Sequence, residues 1–332
     1  MKAIVINQYG GEEVLELDDM PIPEIGADEV LVKNYATSVN PVDWKVRKGD
    51  AKLLTGFKFP RVLGGDVAGT VAQLGENVRR FQPGDRVFAL KPALKEGGAY
   101  AEYVAIKARY LVHIPQELSF EEAAAVPLAG LTAYQGLVHD GNITANQQVL
   151  INGSSGGVGV FAVQIAKAFN TEVTGVCSGR NVELTRSLGA DQVIDYTQED
   201  VLALRQQFDL IYDTVGNLSF KSGRHLLKPH GVWVTTQPMP VNFLYSALTL
   251  LGRQSYKVVT TKPGSRDMLQ LKMLIEQGTV RPIIDRTYAL DEIAEAHRYS
   301  EAGHAVGKIV VQVRPEQKEA RATTSEATAL TD

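Results

Sequence analysis

The chain has 332 residues, 44% apolar and 22% charged, which excludes a disordered chain and suits about two globular domains. Lys plus Arg number 34 against 38 for Asp plus Glu, and the net charge of -4 gives no electrostatic basis for binding nucleic acid or an anionic membrane. The one cysteine, Cys177, excludes an internal disulfide and a four-cysteine zinc site, and fits a reducing compartment.

Met1–Ile6 is too short an apolar run for a signal-peptide core, and Glu12 and Glu13 oppose a transit peptide, so the expected location is cytoplasmic. Up to Ile106 the chain reads as short strands: Ala3–Ile6, Val30–Tyr35, Ala68–Leu74, Arg86–Leu90 and Tyr100–Ile106. Gly10-Gly11, Pro21, Pro23, Gly64-Gly65 and Pro83-Gly84-Asp85 punctuate them. No long helical period appears, so this half is expected to be mainly β, a partly open barrel.

Beyond Pro115 the pattern changes. Phe120–Ala125 and Leu128–Val138 read as helices, and strand and helix then alternate. The expected strands are Gln148–Asn152, Glu172–Cys177, Gln192–Asp195, Asp209–Tyr212 and Gly231–Thr236. The expected helices are Val158–Phe169, Asn181–Leu188 and Ser219–Leu227. Short Val- and Ile-rich runs alternating with helices specify a doubly wound parallel sheet, an α/β architecture. The longest apolar stretch, Val241–Leu251, is broken by Asn242, Ser246 and Thr249 and falls short of the roughly 20 residues a spanning helix needs, so no integral membrane segment is expected. The segment from Pro238 to Leu251 reads as the apolar wall of a substrate pocket, as a core or dimer-contact helix, or as a lipid-facing surface. Helix Met268–Glu276, strand Thr287–Leu290, helix Glu292–Tyr299 and strand Lys308–Val313 follow and are placed to return to the first domain. The tail from Pro315 to Asp332 has no aromatic residue and is expected to be disordered.

The strand Gln148–Asn152 runs into Gly153-Ser154-Ser155-Gly156-Gly157-Val158-Gly159 and then a helix. This is the context a dinucleotide-binding fingerprint requires. Gly156 would let the backbone approach a pyrophosphate, Gly159 would let helix and strand pack closely, and the helix start would hold the anion. Ser154 stands where the first glycine of the fingerprint is usual. After Cys177 the chain offers Ser178 and Arg180, with no acidic residue at the strand end to hold an adenine ribose. A hydroxyl and a guanidinium suit a 2′-phosphate, and Tyr196 adds a phenolic donor, so the expected cofactor is NADPH. The alternative for Arg180 is a solvated charge at a helix start.

With these residues in hand the chain, over Met1–Val313, resembles the medium-chain dehydrogenase/reductase superfamily. The motifs that carry the resemblance are Leu63-Gly64-Gly65-Asp66-Val67-Ala68-Gly69, Pro83-Gly84-Asp85-Arg86-Val87, Gly130-Leu131-Thr132-Ala133-Tyr134, the glycine turn, Leu188-Gly189-Ala190-Asp191 and Gly307-Lys308-Ile309-Val310. Asn40-Pro41-Val42-Asp43-Trp44-Lys45 and Gly179-Arg180-Asn181 narrow it to the zinc-independent quinone oxidoreductase group, of the plant chloroplast-envelope type. The resemblance implies an N-terminal mainly-β GroES-like catalytic domain over residues 1–122 and 264–314. A Rossmann NADPH-binding domain over residues 123–263 is inserted into it. It also implies a small hydrophobic enone or quinone as substrate and, with no support from the residues themselves, a homodimer. The zinc enzymes of the superfamily carry a histidine in a Gly-His-Glu turn, which here reads Gly65-Asp66. The six histidines show no metal-ligand spacing, so no metal is expected.

Without a metal, the charge that develops on a carbonyl oxygen must meet a hydrogen-bond donor or a cation. The resemblance puts Lys45, with Asn40 and Asp43, near the nicotinamide. Lys45 reads as that donor or as a snorkelling surface lysine. Carried over in the same way, Thr132 and Asn40 contact the nicotinamide end. Ser155, Gly156, Gly157, Val158, Ser178, Arg180, Asn181 and Tyr196 hold the phosphates and adenosine. Val215 and Gly216 line the ribose, Thr236 and Gln237 approach the carboxamide, and Lys308 reaches the cofactor from the returning segment. Asp213 reads as a contact or as a turn cap. The leading function is an NADPH-dependent reductase of α,β-unsaturated carbonyls or quinones; the alternative is a catalytically silent NADPH-binding sensor or interaction protein.

Overall fold

A computed structural model describes residues 1–92, 94 and 98–315. The expectation of a disordered tail falls almost wholly outside them. Six helices of eight or more residues occur among the described residues: α1 Pro41–Lys48, α2 Pro127–Gln135, α3 Gly159–Ala168, α4 Pro240–Leu248, α5 Ser265–Glu276 and α6 Ile293–Glu301.

The second half forms a six-stranded, wholly parallel sheet. Across it lie Gln192–Asp195, Glu172–Cys177, Gln148–Asn152, Phe208–Asp213, Leu227–Thr235 and Ser255–Val258. In chain order that is third, second, first, fourth, fifth, sixth, the doubly wound arrangement of dinucleotide-binding sheets. The order in which successive strands are added reverses between Gln148–Asn152 and Phe208–Asp213, which opens a crevice at their carboxyl ends. Val149, Leu150 and Ile151 are fully buried between the layers, each worth about 1.5–3 kcal/mol. Ser255–Val258 was not legible as a strand, because only two of its four residues are apolar.

The first half is mainly β, as expected. Its long strand Glu29–Val39 pairs antiparallel with Asp66–Leu74, with Tyr103–Lys107 and with Lys308–Gln312. The chain therefore returns from residue 308 to complete the sheet of the N-terminal half. Ile309 pairs with Val39, which sets Lys308 beside Asn40.

The helix α1 was missed in that half. It is short and half of its residues are charged, so its apolar period is weak. Its stop and start signals are nonetheless clear: Pro41 at the first position, Asp43 accepting the Asn40 N–H at 2.8 Å, and Gly49 at φ 86° closing the end.

Candidate active site

Two turns at the crevice frame the site. In the first, Gly153 takes the left-handed conformation at φ 81°, and its N–H and that of Ser154 both donate to the Val176 carbonyl at 3.0 Å. The tight turn thus belongs to Gly153, one residue before the position the fingerprint suggested. Ser154 is buried, its hydroxyl on the same carbonyl at 3.0 Å. A Cβ on Gly159 would lie 2.0 Å from the Gly153 carbonyl oxygen, so helix and strand pack too closely there for any side chain. A Cβ on Gly156 would meet only the Gly153 oxygen, at 3.5 Å. That open cradle at the start of α3 fits a pyrophosphate. Gly157 and Val158 complete the turn.

Ser155 ties the turn to two other places. Its hydroxyl accepts from Asn181 Nδ2 at 3.0 Å, and its carbonyl accepts the Gly307 N–H at 2.9 Å. Asn181 Nδ2 also reaches the Ser178 hydroxyl at 3.3 Å, so Ser155, Ser178 and Asn181 form one cluster. Arg180 is exposed beside it and donates to the His304 carbonyl at 3.3 Å. Tyr196 is exposed, its N–H on the Cys177 carbonyl at 3.1 Å.

An acidic group does stand here, contrary to the expectation. The parallel register pairs Cys177 with Asp195, and a Cβ on Gly179 would lie 2.5 Å from Asp195 Oδ2. Reading along Glu172–Cys177 alone cannot reveal a carboxylate delivered by the neighbouring strand. The Thr197 hydroxyl and N–H, with the Gly179 N–H, hold the Asp195 carboxyl below the usual carboxylate range.

In the second turn the buried Asp213 accepts the N–H groups of Val215 at 3.2 Å and Gly216 at 2.8 Å, and the Asn152 amide at 2.7 Å. It is a turn cap, and burial raises its pKa. Gly216, at φ 83°, packs on Gln237, whose Nε2 donates to the Val215 carbonyl at 3.2 Å. The Thr236 hydroxyl donates to the Thr214 carbonyl at 3.1 Å. Lys45 Nζ meets Gln237 Oε1 at 3.5 Å. Val215, Gly216, Thr236, Gln237 and Lys45 therefore converge at one lip of the crevice.

The opposite wall is a buried polar cluster. Lys308 Nζ donates to Asn40 Oδ1 and stands 3.9 Å from Asp66 Oδ2. Asn40 Nδ2 donates to that same oxygen at 2.7 Å, and the Ser38 hydroxyl does so too. Asp66 Oδ1 accepts the Leu128 N–H at 2.8 Å and so holds the start of α2. Burial lowers the Lys308 pKa, opposed by Asp66 and then Asp43. The Lys308 stem passes the glycine turn, 3.4 Å from where a Cβ on Gly157 would lie. Asp66 was seen in the sequence only as the place where a histidine is missing. Its gathering role depends on three donors from distant segments, which no local pattern records. Thr132, one turn along α2, has its hydroxyl on the Leu128 carbonyl at 2.7 Å and beside Thr261 at 2.8 Å.

The three residues expected to act on substrate are thus separated. Asn40 belongs to the Lys308 and Asp66 cluster, and Lys45 faces Gln237. Asp43 is fully buried on the inner face of α1, on the Asn40 N–H and the Tyr100 hydroxyl at 3.1 Å, and burial pushes it up to about 7. The reading of Pro238–Leu251 as a core helix is overturned: α4 buries no residue, and Phe243, Leu244, Leu248 and Leu251 are exposed. The charged residues that would mark a solvent face are missing from its sequence, which is why it read as core. Among the described residues no three His, Cys, Asp or Glu side chains converge as a metal site, and no helix is long and apolar enough to cross a membrane.

Residues 26–116 match the alcohol dehydrogenase GroES-like domain, and residues 188–311 match the zinc-binding dehydrogenase domain. A chloroplastic quinone oxidoreductase of Triphysaria versicolor is 37% identical over 324 residues, covering 94% of this chain and 98% of that protein. The chloroplastic NADPH-dependent alkenal/one oxidoreductase of Arabidopsis thaliana is also 37% identical, over 95% of this chain and 80% of that protein. The solved quinone oxidoreductase of Coxiella burnetii superposes with a TM-score of 0.88 at 33% identity, over 95% of this chain and 99% of that chain.

Proposed function

The chain belongs to the quinone oxidoreductase group of the medium-chain dehydrogenase/reductase superfamily and is an oxidoreductase of that kind, and from that premise we propose that it reduces α,β-unsaturated carbonyls or quinones with NADPH and without zinc. The observation that carries the reading is the meeting of Lys45 with Gln237. It brings a cation of the mainly β half to the lip formed by Val215 and Gly216 of the cofactor half.

The glycine turn Gly153–Val158 and the start of α3 would hold the pyrophosphate, with Ser178, Arg180, Asn181 and Tyr196 around the adenosine phosphate. Val215, Gly216, Thr236, Gln237, Asn40, Thr132 and Lys308 would enclose the nicotinamide end. Bound there, the reduced nicotinamide supplies a hydride. The chain's own residues do the rest. Lys45 Nζ donates to the substrate carbonyl oxygen and stabilises the charge that develops when the β-carbon is reduced, an effect worth about 3–4 kcal/mol for a preorganised donor. Gln237 holds Lys45 within reach. The α-carbon takes its proton from water. The names of the alkenal/one and quinone relatives support both substrate classes, since a quinone is a vinylogous enone. The domain division is taken as residues 1–122 with 264–314, around 123–263. Cys177, single and buried, suits the cytoplasm as the compartment.

NADPH oxidation measured against short and long enones, quinones and aldehydes tests the reading. Turnover on an enone or a quinone is expected. Tight NADPH binding with no oxidation across the panel would replace it with a cofactor-binding sensor.

A further inference from the structure

Behind the lip, side chains from three distant parts of the chain form one buried file. Arg47 Nη1 meets His297 Nδ1 at 3.0 Å, His297 Nε2 meets the Tyr100 hydroxyl at 3.1 Å, and that hydroxyl donates to Asp43 Oδ2 at 3.1 Å. The file has a single polarity. A guanidinium donates and never accepts, so His297 Nδ1 accepts, and the ring carries its proton on Nε2. Nε2–H then donates to the Tyr100 oxygen, and the phenolic hydrogen is left for Asp43. Burial, reinforced by Arg47, lowers His297 to about 3 and keeps the ring neutral.

Both ends are anchored. Arg47 is buried and also bonds Glu301 and the Gly10 carbonyl, and Lys48 shares Glu301. Asp43 Oδ2 takes two donors, the Asn40 N–H and the Tyr100 hydroxyl, while Oδ1 is buried with no hydrogen-bond partner. A buried oxygen in that state is destabilising, because its lost hydration is not replaced. Tyr100 lies in an apolar cluster with Ile4, Ile6 and Leu63, where a phenylalanine would pack as well. Its hydroxyl is present for the file, not for packing. The charged and titratable groups facing Asp43 are Asp66, Lys308 and Tyr100; those facing His297 are Arg47, Glu12 and Tyr100.

None of these groups lines the crevice. Their output is α1, which carries Asn40 at its cap and Lys45 two residues beyond Asp43. We propose that Asp43, Tyr100 and His297 are positioning residues, a one-way file of hydrogen bonds that clamps the first turn of α1 and presents Asn40 and Lys45 to the substrate. The proposal rests on the role given above to Lys45. An ionised Asp43 accepts more strongly than a protonated one, so the clamp tightens as Asp43 loses its proton.

The test is Tyr100→Phe in the full chain. Carboxyl carbon NMR reads the Asp43 titration without cofactor, and steady-state kinetics read the reaction. Losing a donor to the ionised form should move the Asp43 midpoint upward. The turnover number should fall about tenfold, with NADPH affinity within twofold, and the pH inflection of turnover should follow the NMR midpoint. His297→Gln can accept from Arg47 and donate to Tyr100, so it should keep most of the turnover; His297→Leu should behave like Tyr100→Phe. An unmoved midpoint in Tyr100→Phe, or a glutamine as damaging as a leucine, overturns the proposal. A moved midpoint with no turnover by the parent protein means that the functional reading has failed, and the positioning role falls with it.

Discussion

Asp43 and His297 tie folding stability to pH in opposite directions. Burial raises Asp43 from 3.8 to about 7, so between those values the folded protein holds a proton that the unfolded chain has released. Stability from this group is full below the unfolded value and is lost as pH rises towards 7. Burial and Arg47 lower His297 from 6.5 to about 3, so in that interval the unfolded chain holds the extra proton and stability rises with pH. Each slope is about 1.4 kcal/mol per pH unit, and over the shared window they cancel. Removing one unmasks the other. Asp43→Asn keeps an acceptor for the Asn40 N–H and the Tyr100 hydroxyl but does not titrate. Relative to the parent it should gain about 3 kcal/mol between pH 4 and 6.5. His297→Gln should lose a similar amount relative to the parent over the same interval. Urea unfolding of each variant and the parent at three pH values gives these differences, and groups common to both drop out. Differences that are flat, or that share one sign of slope, would refute the assignment of protons in the file.

Lys45→Met keeps most of the stem and should lower turnover by roughly a hundredfold with NADPH affinity unchanged; a weakened affinity with intact single-turnover reduction would make Lys45 a cofactor clamp. Arg180→Ala should raise the Michaelis constant for NADPH and leave that for NADH nearly unchanged, and equal use of both cofactors by the parent would remove the 2′-phosphate site. Asp195→Asn, by taking a carboxylate away from Gly179, should tighten NADPH several-fold and leave NADH unaffected, as isothermal titration of both would reveal.

Much of the fold was legible because it rests on local periodicity. The strands Gln148–Asn152, Glu172–Cys177, Gln192–Asp195 and Arg86–Leu90 stand where their apolar runs begin and end. What was not legible depends on register and on distance along the chain. Asp195 reaches Gly179 only because its strand lies parallel to Glu172–Cys177. Asp66 acquires its donors from Ser38, Asn40 and Leu128, with Lys308 3.9 Å away, and Tyr100 and His297 meet across 197 positions. The glycine turn shows the intermediate case. Its presence was evident, but which residue takes the left-handed conformation was not; that residue is Gly153, where a Cβ would lie 2.5 Å from the Val215 side chain, contributed by a distant turn. The exposed α4 shows the converse case, in which apolar composition left a core helix among the readings and the structure removes that one alone.

The proposed hydride delivery to a conjugated carbon at the lip formed by Lys45, Gln237 and Val215 can be followed by supplying NADPH carrying deuterium at one or the other C4 position, with a simple enone. Mass spectrometry and NMR of the product should find deuterium on the β-carbon from one of the two labelled cofactors, and solvent hydrogen on the α-carbon. A saturated product without label at the β-carbon, or bound NADPH that never transfers its label to any enone, would rule out hydride transfer at this lip.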